Sequence, residues 1–410
     1  YKAYREALDK AVDARAGASG ADEATQKNSL KAKLSNIAAT AQVKRDYVDK
    51  FAAVLTAEQI RRLYNTEGEI GTNIKRAAFD RSSRTRSGRL KGSGRMVTQD
   101  WGKAGDYTGI SAAAFFDITV SPAAKTISVT ADDNVIDYLV LERDGGTLKF
   151  RVNANNTENI SVSVVVPASA ALRQISAGSY GKVTCKLPLK GPSVAVSVSS
   201  YGSVIADIDT PGTAQLNVSS YGKFAGSVRC SDGELRISSY GSAQAPVECR
   251  NSCKLTVGSY AKFSNDIKAS DLTVEISSGA SVGSTLTADA LTMRIGSYAK
   301  FSGTVTVNAR QAKLTVSSGG SFNGTFSGSS LEASVGSYGK IYLKGAAQVA
   351  DATVRVSSGA NFSAPELRVS DYDLTVSNYA KADVWCSGRL KINASTAAKV
   401  TYGGPCTVET

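Results

Sequence analysis

A Ser-Tyr-Gly-Lys motif, or a near copy of it, returns every 18 to 21 residues from Tyr180 almost to the C-terminus. The tyrosines are Tyr180, Tyr201, Tyr221, Tyr240, Tyr260, Tyr298, Tyr338 and Tyr379; Gly279, Gly319 and Gly359 take the same place in Ser-Ser-Gly variants, and Ala397 takes the last. A period of this length marks a solenoid, in which every coil is one copy of a short supersecondary unit. Before the marker, alternating pairs such as Leu216 and Val218, Leu255 and Val257, or Leu374 and Val376 give one apolar and one polar face. That is the period of a half-buried strand. After the marker an apolar residue returns at a fixed offset: Val204, Phe224, Phe263, Val282, Phe301, Phe322, Ile341, Phe362 and Val400. A single unit cannot bury such a face alone, whereas stacking in register joins equivalent positions into apolar ladders.

Two other β architectures fit less well. A propeller blade needs roughly 40 residues and four strands, and a sandwich of hairpins would show Asn-Gly or Asp-Gly at most turns. The repeat instead predicts a mainly β protein, a single-stranded parallel β-helix of about 20 residues per rung. It should span residues 105–410 as about eleven or twelve rungs and measure roughly 50 to 60 Å. The strands before Tyr180, from Ile110 through Phe116, Ile127, Leu139, Leu148 and Val162 to Ile175, are less regular, as a terminal cap should be.

The first eighty residues follow another period. Leu30, Leu34, Ile37, Ala41, Val48, Phe51 and Leu55 recur at helical spacing, which predicts an amphipathic helix. Tyr4, Leu8 and Val12 suggest a shorter helix before it. Thr56 and Gln59 are spaced as a capping box for a third, carrying Ile60, Leu63, Ile70 and Ile74. An α-helical module over 1–80 follows, able to close as a small bundle or to associate between chains through the same stripe.

The chain has 410 residues and a formal net charge of +12. Tyr1 to Lys91 holds nineteen basic and eleven acidic residues, so most of the excess lies there. Arg81, Arg84, Arg86, Arg89, Lys91 and Arg95 alternate with Ser and Gly, the composition of a solvated linker over 81–104 rather than of a nucleic-acid surface. The chain has no initiator Met and no apolar run of membrane length, so it reads as a processed or truncated soluble portion.

Six cysteines and no histidine narrow the chemistry. Cys230 and Cys249 are one period apart, as are Cys386 and Cys406. Each pair should lie on adjacent rungs, as a thiol ladder or an inter-rung disulfide. Cys185 and Cys253 have no matching register. Without histidine or a Cys-x-x-Cys motif, neither a metal site nor a thiol protease is expected, and no cofactor is implied. Parallel β-helices do support carbohydrate-active enzymes, but Asp207, Asp209, Asp232, Glu234, Glu248, Asp266 and Asp271 do not recur at one register as an acid and base pair. A non-enzymatic protein is therefore expected, with a carbohydrate-active enzyme as the alternative.

The tyrosines carry the binding expectation. Stacked about 5 Å apart and interleaved with Lys182, Lys223, Lys262, Lys300, Lys340 and Lys381, outward-facing rings would form an aromatic and basic stripe for glycan or another envelope polymer. The competing reading is that the rings cover a corner of the coil and stabilise it.

Ile110-Ser111, the Phe116-Asp117-Ile118 strand, the Asp144-Gly145-Gly146-Thr147-Leu148 turn, Val164 to Pro167 and the later Ser-Ser-Tyr-Gly rungs occur in this order. In these features residues 105–410 resemble the auto-transporter adhesin head domain of Bacteroidetes surface and periplasmic proteins. The resemblance implies a β-helical, exported, often lipid-anchored protein with structural or adhesive character. It supplies no catalytic set. Glycan or an envelope protein is the expected partner.

Overall fold

The corner between two faces of the coil is built from two successive left-handed residues. The computed structural model describes residues 41–43, 45–53, 56, 90–154, 156–309, 311–345 and 347–410. In it Ser220 and Tyr221 have φ of 48° and 63°, and the Gly222 amide donates to the Ser219 carbonyl at 2.7 Å. This closes a tight turn of the I′ kind, with φ positive at both central residues. The same pair of angles recurs at Ser200 and Tyr201, Ser239 and Tyr240, Ser297 and Tyr298, and Ser337 and Tyr338.

Non-glycine residues in this region are disfavoured by about 1–2 kcal/mol each. Hydrogen bonding between rungs opposes that cost: the Tyr201 amide donates to Ser220 O at 3.0 Å and the Tyr221 amide to Ser239 O at 3.1 Å. The ladder thus continues around the corner instead of stopping at the strand end. The residue after the tyrosine is buried and small. With glycine there the turn closes at 2.7 to 2.9 Å, as at Gly222 and Gly339; with alanine it opens to 3.0 to 3.2 Å, as at Ala299 and Ala380. A Cβ on Gly222 would sit 2.8 Å from the Ser219 and Val198 carbonyl oxygens, which accounts for the widening.

A typical coil holds three short strands, such as Thr213–Val218, Lys223–Ala225 and Val228–Cys230. Each pairs in parallel with its counterpart one coil away: Asp232–Ile237, Ser242–Gln244 and Val247–Cys249. Register is held so well that one residue per coil makes an unbroken inner row. That row runs Val164, Ile118, Val183, Val204, Phe224, Ala243, Phe263, Val282, Phe301, Phe322, Ile341, Phe362, Ala382 and Val400. At about 4.8 Å per step it spans about 60 Å. All its members are buried except Val400, in the last coil, which is partly buried. Ile208, Val228, Val247, Ile267, Leu286, Val305 and Phe326 form the matching row on another face.

The stack begins out of chain order. Gly109–Ala112 pairs with Thr147–Val152 on one side and Gln174–Ala177 on the other, and Phe116–Ser121 lies between Val162–Pro167 and Lys182–Cys185. The chain thus lays down one coil, turns back to build the end, and returns to continue. The end is antiparallel: Met96–Asp100 pairs with Ser128–Asp132, which pairs with Val162–Pro167, while Leu139–Asp144 pairs with Thr147–Val152. Tyr107 is buried under this cap and donates its hydroxyl to the Pro167 carbonyl at 2.5 Å.

The chain divides into two compact units, Tyr1–Gly88 and Arg89–Thr410. In the first, residues 41–43 and 45–52 are helical and Phe51 is buried, with Thr56 exposed beyond the helix; the remaining helical positions named above, Gln59 among them, and the linker residues 81–89 lie outside the described residues. A small helical module precedes the solenoid. The expected linker of 81–104 is shorter at its C-terminal side, because Leu90–Lys91 pairs with Thr157–Glu158 and Met96–Asp100 is a cap strand. An outermost strand with only Val97 partly covered carries no apolar alternation for a sequence reading to find. No helix among the described residues is long and apolar enough to cross a membrane.

Two outcomes follow from this packing. Phe322→Ala should cost about 3–5 kcal/mol, and because each coil touches only its neighbours, amide exchange should accelerate first around Phe301 and Ile341. Stability should also fall in alkali. The hydrogen bond to Cys249, then burial, pushes the Cys230 thiol far above its ordinary 9.0. Burial first of all raises the Tyr107 and Tyr372 phenols above 10.0. Unfolded, these acids lose their protons earlier, so the stability present at lower pH is lost as pH rises past 9.0 for the thiol and 10.0 for the phenols. Under reducing conditions the melting temperature should hold from about pH 7 to 8.5 and then decline; a flat profile to about pH 11 would contradict these assignments.

Candidate functional site

The left-handed corner aims every tyrosine outward from the same edge, and successive side chains meet one coil apart. Ring centroids lie 5.0 Å apart for Tyr180 and Tyr201, 4.8 Å for Tyr201 and Tyr221, 4.9 Å for Tyr221 and Tyr240, and 5.3 Å for Tyr240 and Tyr260. Interplanar angles in this run are 2° to 11°. Phe115, with φ of 71°, extends the stack at 5.5 Å from Tyr180. The rings therefore spend their faces on one another and turn their edges to solvent. A shallow groove of about 460 Å³ follows the run, lined by Ser179, Ser200, Ser220 and Ser239 beside the tyrosines.

Beyond Tyr260 the arrangement changes. Gly279, Gly319 and Gly359 occupy the corner in alternate coils with φ of 70°, 71° and 66°. A Cβ there would meet the preceding ring, at 2.7 Å from Tyr260, 2.7 Å from Tyr298 and 2.9 Å from Tyr338. Each ring leans into the space the next glycine leaves, and the next tyrosine is two coils away, about 9.6 Å. Exposure records the difference: Tyr201, Tyr221 and Tyr240 are 52%, 45% and 52% exposed, whereas Tyr298, Tyr338 and Tyr379 reach 77%, 74% and 72%. Open aromatic faces belong to the second group.

The six lysines fall on one outer row beside this edge, and the register adds what spacing alone did not reveal. Lys182, Lys223, Lys262, Lys300 and Lys340 alternate with Ser203, Ser242, Ser281 and Ser321; Asn361, Lys381 and Lys399 complete the row. All six are exposed and none forms an ion pair among the described residues. Cation and ring contacts among the described residues lie elsewhere, at Lys50 over Tyr47, Lys344 over Tyr342 and Arg368 over Trp385.

Cys230 and Cys249 stand in register on adjacent coils, Sγ to Sγ 3.4 Å, both buried and unbridged. Burial, with the Cys406 thiol adding to it, raises Cys386, whose Sγ donates to Ser370 O at 3.1 Å. The acids serve as braces between coils: Asp207 accepts from the Ser227 amide at 2.8 Å and hydroxyl at 2.7 Å, and Asp232 from the Ser252 hydroxyl at 2.6 Å. The hydrogen bond from Ser252 holds the Asp232 carboxyl below its ordinary range. No cluster of metal-ligating side chains occurs among the described residues.

Residues 106–282 and 292–405 match the sequence family described as "Putative auto-transporter adhesin, head GIN domain", and the chain belongs to that family. Similar solved structures include a "putative lipid binding protein" of Parabacteroides distasonis, 17% identical, covering 78% of this chain and 99% of its own, with a TM-score of 0.25. A "putative adhesin" of Parabacteroides merdae is 15% identical over 78% and 98%, with a TM-score of 0.21. Another from Parabacteroides distasonis is 14% identical over 79% and 100%, with a TM-score of 0.25. No curated protein matches the chain. Membership of this family supports an exported surface protein of general adhesive or structural character.

The glycine positions give a direct check on the edge. Gly319→Ala, strained at φ of 71° and pressed against Tyr298, should lose about 1–2 kcal/mol in chemical denaturation. Gly283→Ala, with open space around its Cβ, should stay within about 0.5 kcal/mol of wild type.

Proposed function

We propose that the protein is an exported cell-envelope structural or adhesive component that binds glycan or another surface polymer along the tyrosine and lysine edge. The observation that carries this reading is the open, 72% to 77% exposed rings of Tyr298, Tyr338 and Tyr379 beside the unpaired Lys300, Lys340 and Lys381. A sugar ring stacks its C–H face on an aromatic face, not on an edge, so the C-terminal half is the contact surface. The closed stack from Phe115 to Tyr260 acts as a rigid spine.

Two triple variants separate these roles. Tyr298→Ser, Tyr338→Ser and Tyr379→Ser together should abolish most binding to surface polysaccharide in a glycan-array screen while changing the melting temperature little. Tyr221→Ser, Tyr240→Ser and Tyr260→Ser together should instead lower stability, since each stacked pair contributes about 0.5–1.5 kcal/mol, and leave binding intact. A third variant is more pointed: Gly279→Tyr, Gly319→Tyr and Gly359→Tyr would complete the stack, adding rings while covering faces. It should fold and lose binding; retained binding would show that aromatic content, not open faces, is what matters.

A further inference from the structure

The outer row that holds the lysines is followed, two residues along each strand, by Thr184, Ile205, Ala225, Gln244, Ser264, Gly283, and onward through Ser302, Asn323, Tyr342 and Ser363 to Asp383. From Lys182 to Lys399 the lysine row contains no acid, and in its neighbour Asp383 alone is acidic. Elsewhere on the solenoid several cations are paired with acids one coil away, Lys254 with Glu275 at 3.8 Å, Lys313 with Glu332 at 3.3 Å, and Lys344 with Glu366 at 3.5 Å. Others, such as Arg294 and Arg355, are exposed on a row that also carries Glu275. What sets the tyrosine edge apart is that its unpaired cations fall on a single row and recur at a regular interval. From Lys182 to Lys381 lysine comes every second coil, about 9.6 Å, with Lys399 one coil further on, and beyond Tyr260 the open ring also comes every second coil.

We infer that the ligand of this edge is an extended anionic polysaccharide with a disaccharide repeat and one carboxylate or sulfate per repeat. The inference rests on the reading of the edge as a polymer-binding surface and adds the charge and period of the polymer. A β-linked disaccharide in an extended chain advances by about the distance of two coils. One sugar of each pair therefore lies on the open ring of Tyr298, Tyr338 or Tyr379, and its neighbour brings its anion to a lysine. Five lysines in step, from Lys223 to Lys381, each about one screening length from the next, make the attraction cumulative along the chain. A neutral glycan uses the rings alone, and single-stranded nucleic acid carries a charge on every unit rather than every second one.

The test uses the full chain with four probes of matched length: hyaluronan oligosaccharides, the same oligosaccharides with carboxyls reduced to alcohols, chitin oligosaccharides, and oligo(dT). Hyaluronan should bind about tenfold or more tightly than the reduced and chitin probes, and its affinity should fall about tenfold between 50 and 500 mM salt. Lys300→Gln, Lys340→Gln and Lys381→Gln together should remove that advantage. Ser321→Lys combined with Lys340→Ser keeps the charge and breaks the period; it should weaken hyaluronan about fivefold to tenfold without changing chitin binding. Equal affinity for charged and neutral glycans, with dependence on Tyr298, Tyr338 and Tyr379, overturns this inference and leaves the broader reading standing. Unchanged binding in the period-shifted variant overturns the period, tighter binding of oligo(dT) overturns the polysaccharide, and no binding of any probe overturns both readings.

Discussion

Everything on the outside of this solenoid depends on a hydrogen bond made at its corner. Two consecutive left-handed residues would be a poor choice in isolation, yet the amide of each corner tyrosine finds a carbonyl in the next coil, as Tyr298 does with Ser318 at 3.0 Å and Tyr338 with Ser358 at 3.1 Å. The turn is therefore stable only when its neighbour makes the same turn at the same place. That requirement copies the register from coil to coil. It leaves inner positions as continuous apolar rows and outer positions as continuous surface rows, so each outer row behaves as one chemical strip.

One backbone then supports two different strips. From Phe115 to Tyr260 every corner carries a ring and the stack is closed, with parallel planes and about half of each ring covered. From Tyr260 onward a glycine replaces every second ring without changing the turn, since Gly279 at φ of 70° and Tyr298 at φ of 60° share one conformation. The difference between the closed and the open strip is thus a matter of side chains alone. Tyrosine where glycine stands would close the strip, and serine where tyrosine stands would strip it bare.

Much of this was legible because the apolar alternation and the corner motif repeat together. Phe263, Phe301, Phe322 and Phe362 announce an inner row by offset, and they occupy one. Ala243 and Ala382 sit in the same row but are too small to mark it. Stacking direction was not legible: ring geometry follows from the turn, and Ser-Tyr carries no sign of positive φ in residues that rarely adopt it. Phe115 was hidden for a related reason, since Ala114 and Phe115 make the same corner without its serine and tyrosine. The cap was legible as irregular strands before Tyr180, but its first strand and its stacking order escaped, because Met96–Asp100 is mostly exposed and outermost, and because the chain places Thr147–Val152 before Gly109–Ala112 in the stack, an order no local pattern encodes.

Packing explains the core rows and the corner but makes no demand on the lysine row. Its side chains point away from the interior, and Ser203, Ser242 and Ser281 occupy the same backbone position without disturbing the coil. Other outer rows show what an exposed strand does under no external demand, which is to intermix signs, as Arg229 with Glu248 and Lys391 with Asp373 do. Such pairs are worth little to stability, but they keep local fields small. A row that holds lysine at alternate coils, next to rings opened at alternate coils and almost without acids, keeps its field instead. Stability of the free protein gains nothing from that arrangement, and the proposed anionic partner would supply the missing negative charge at the same spacing.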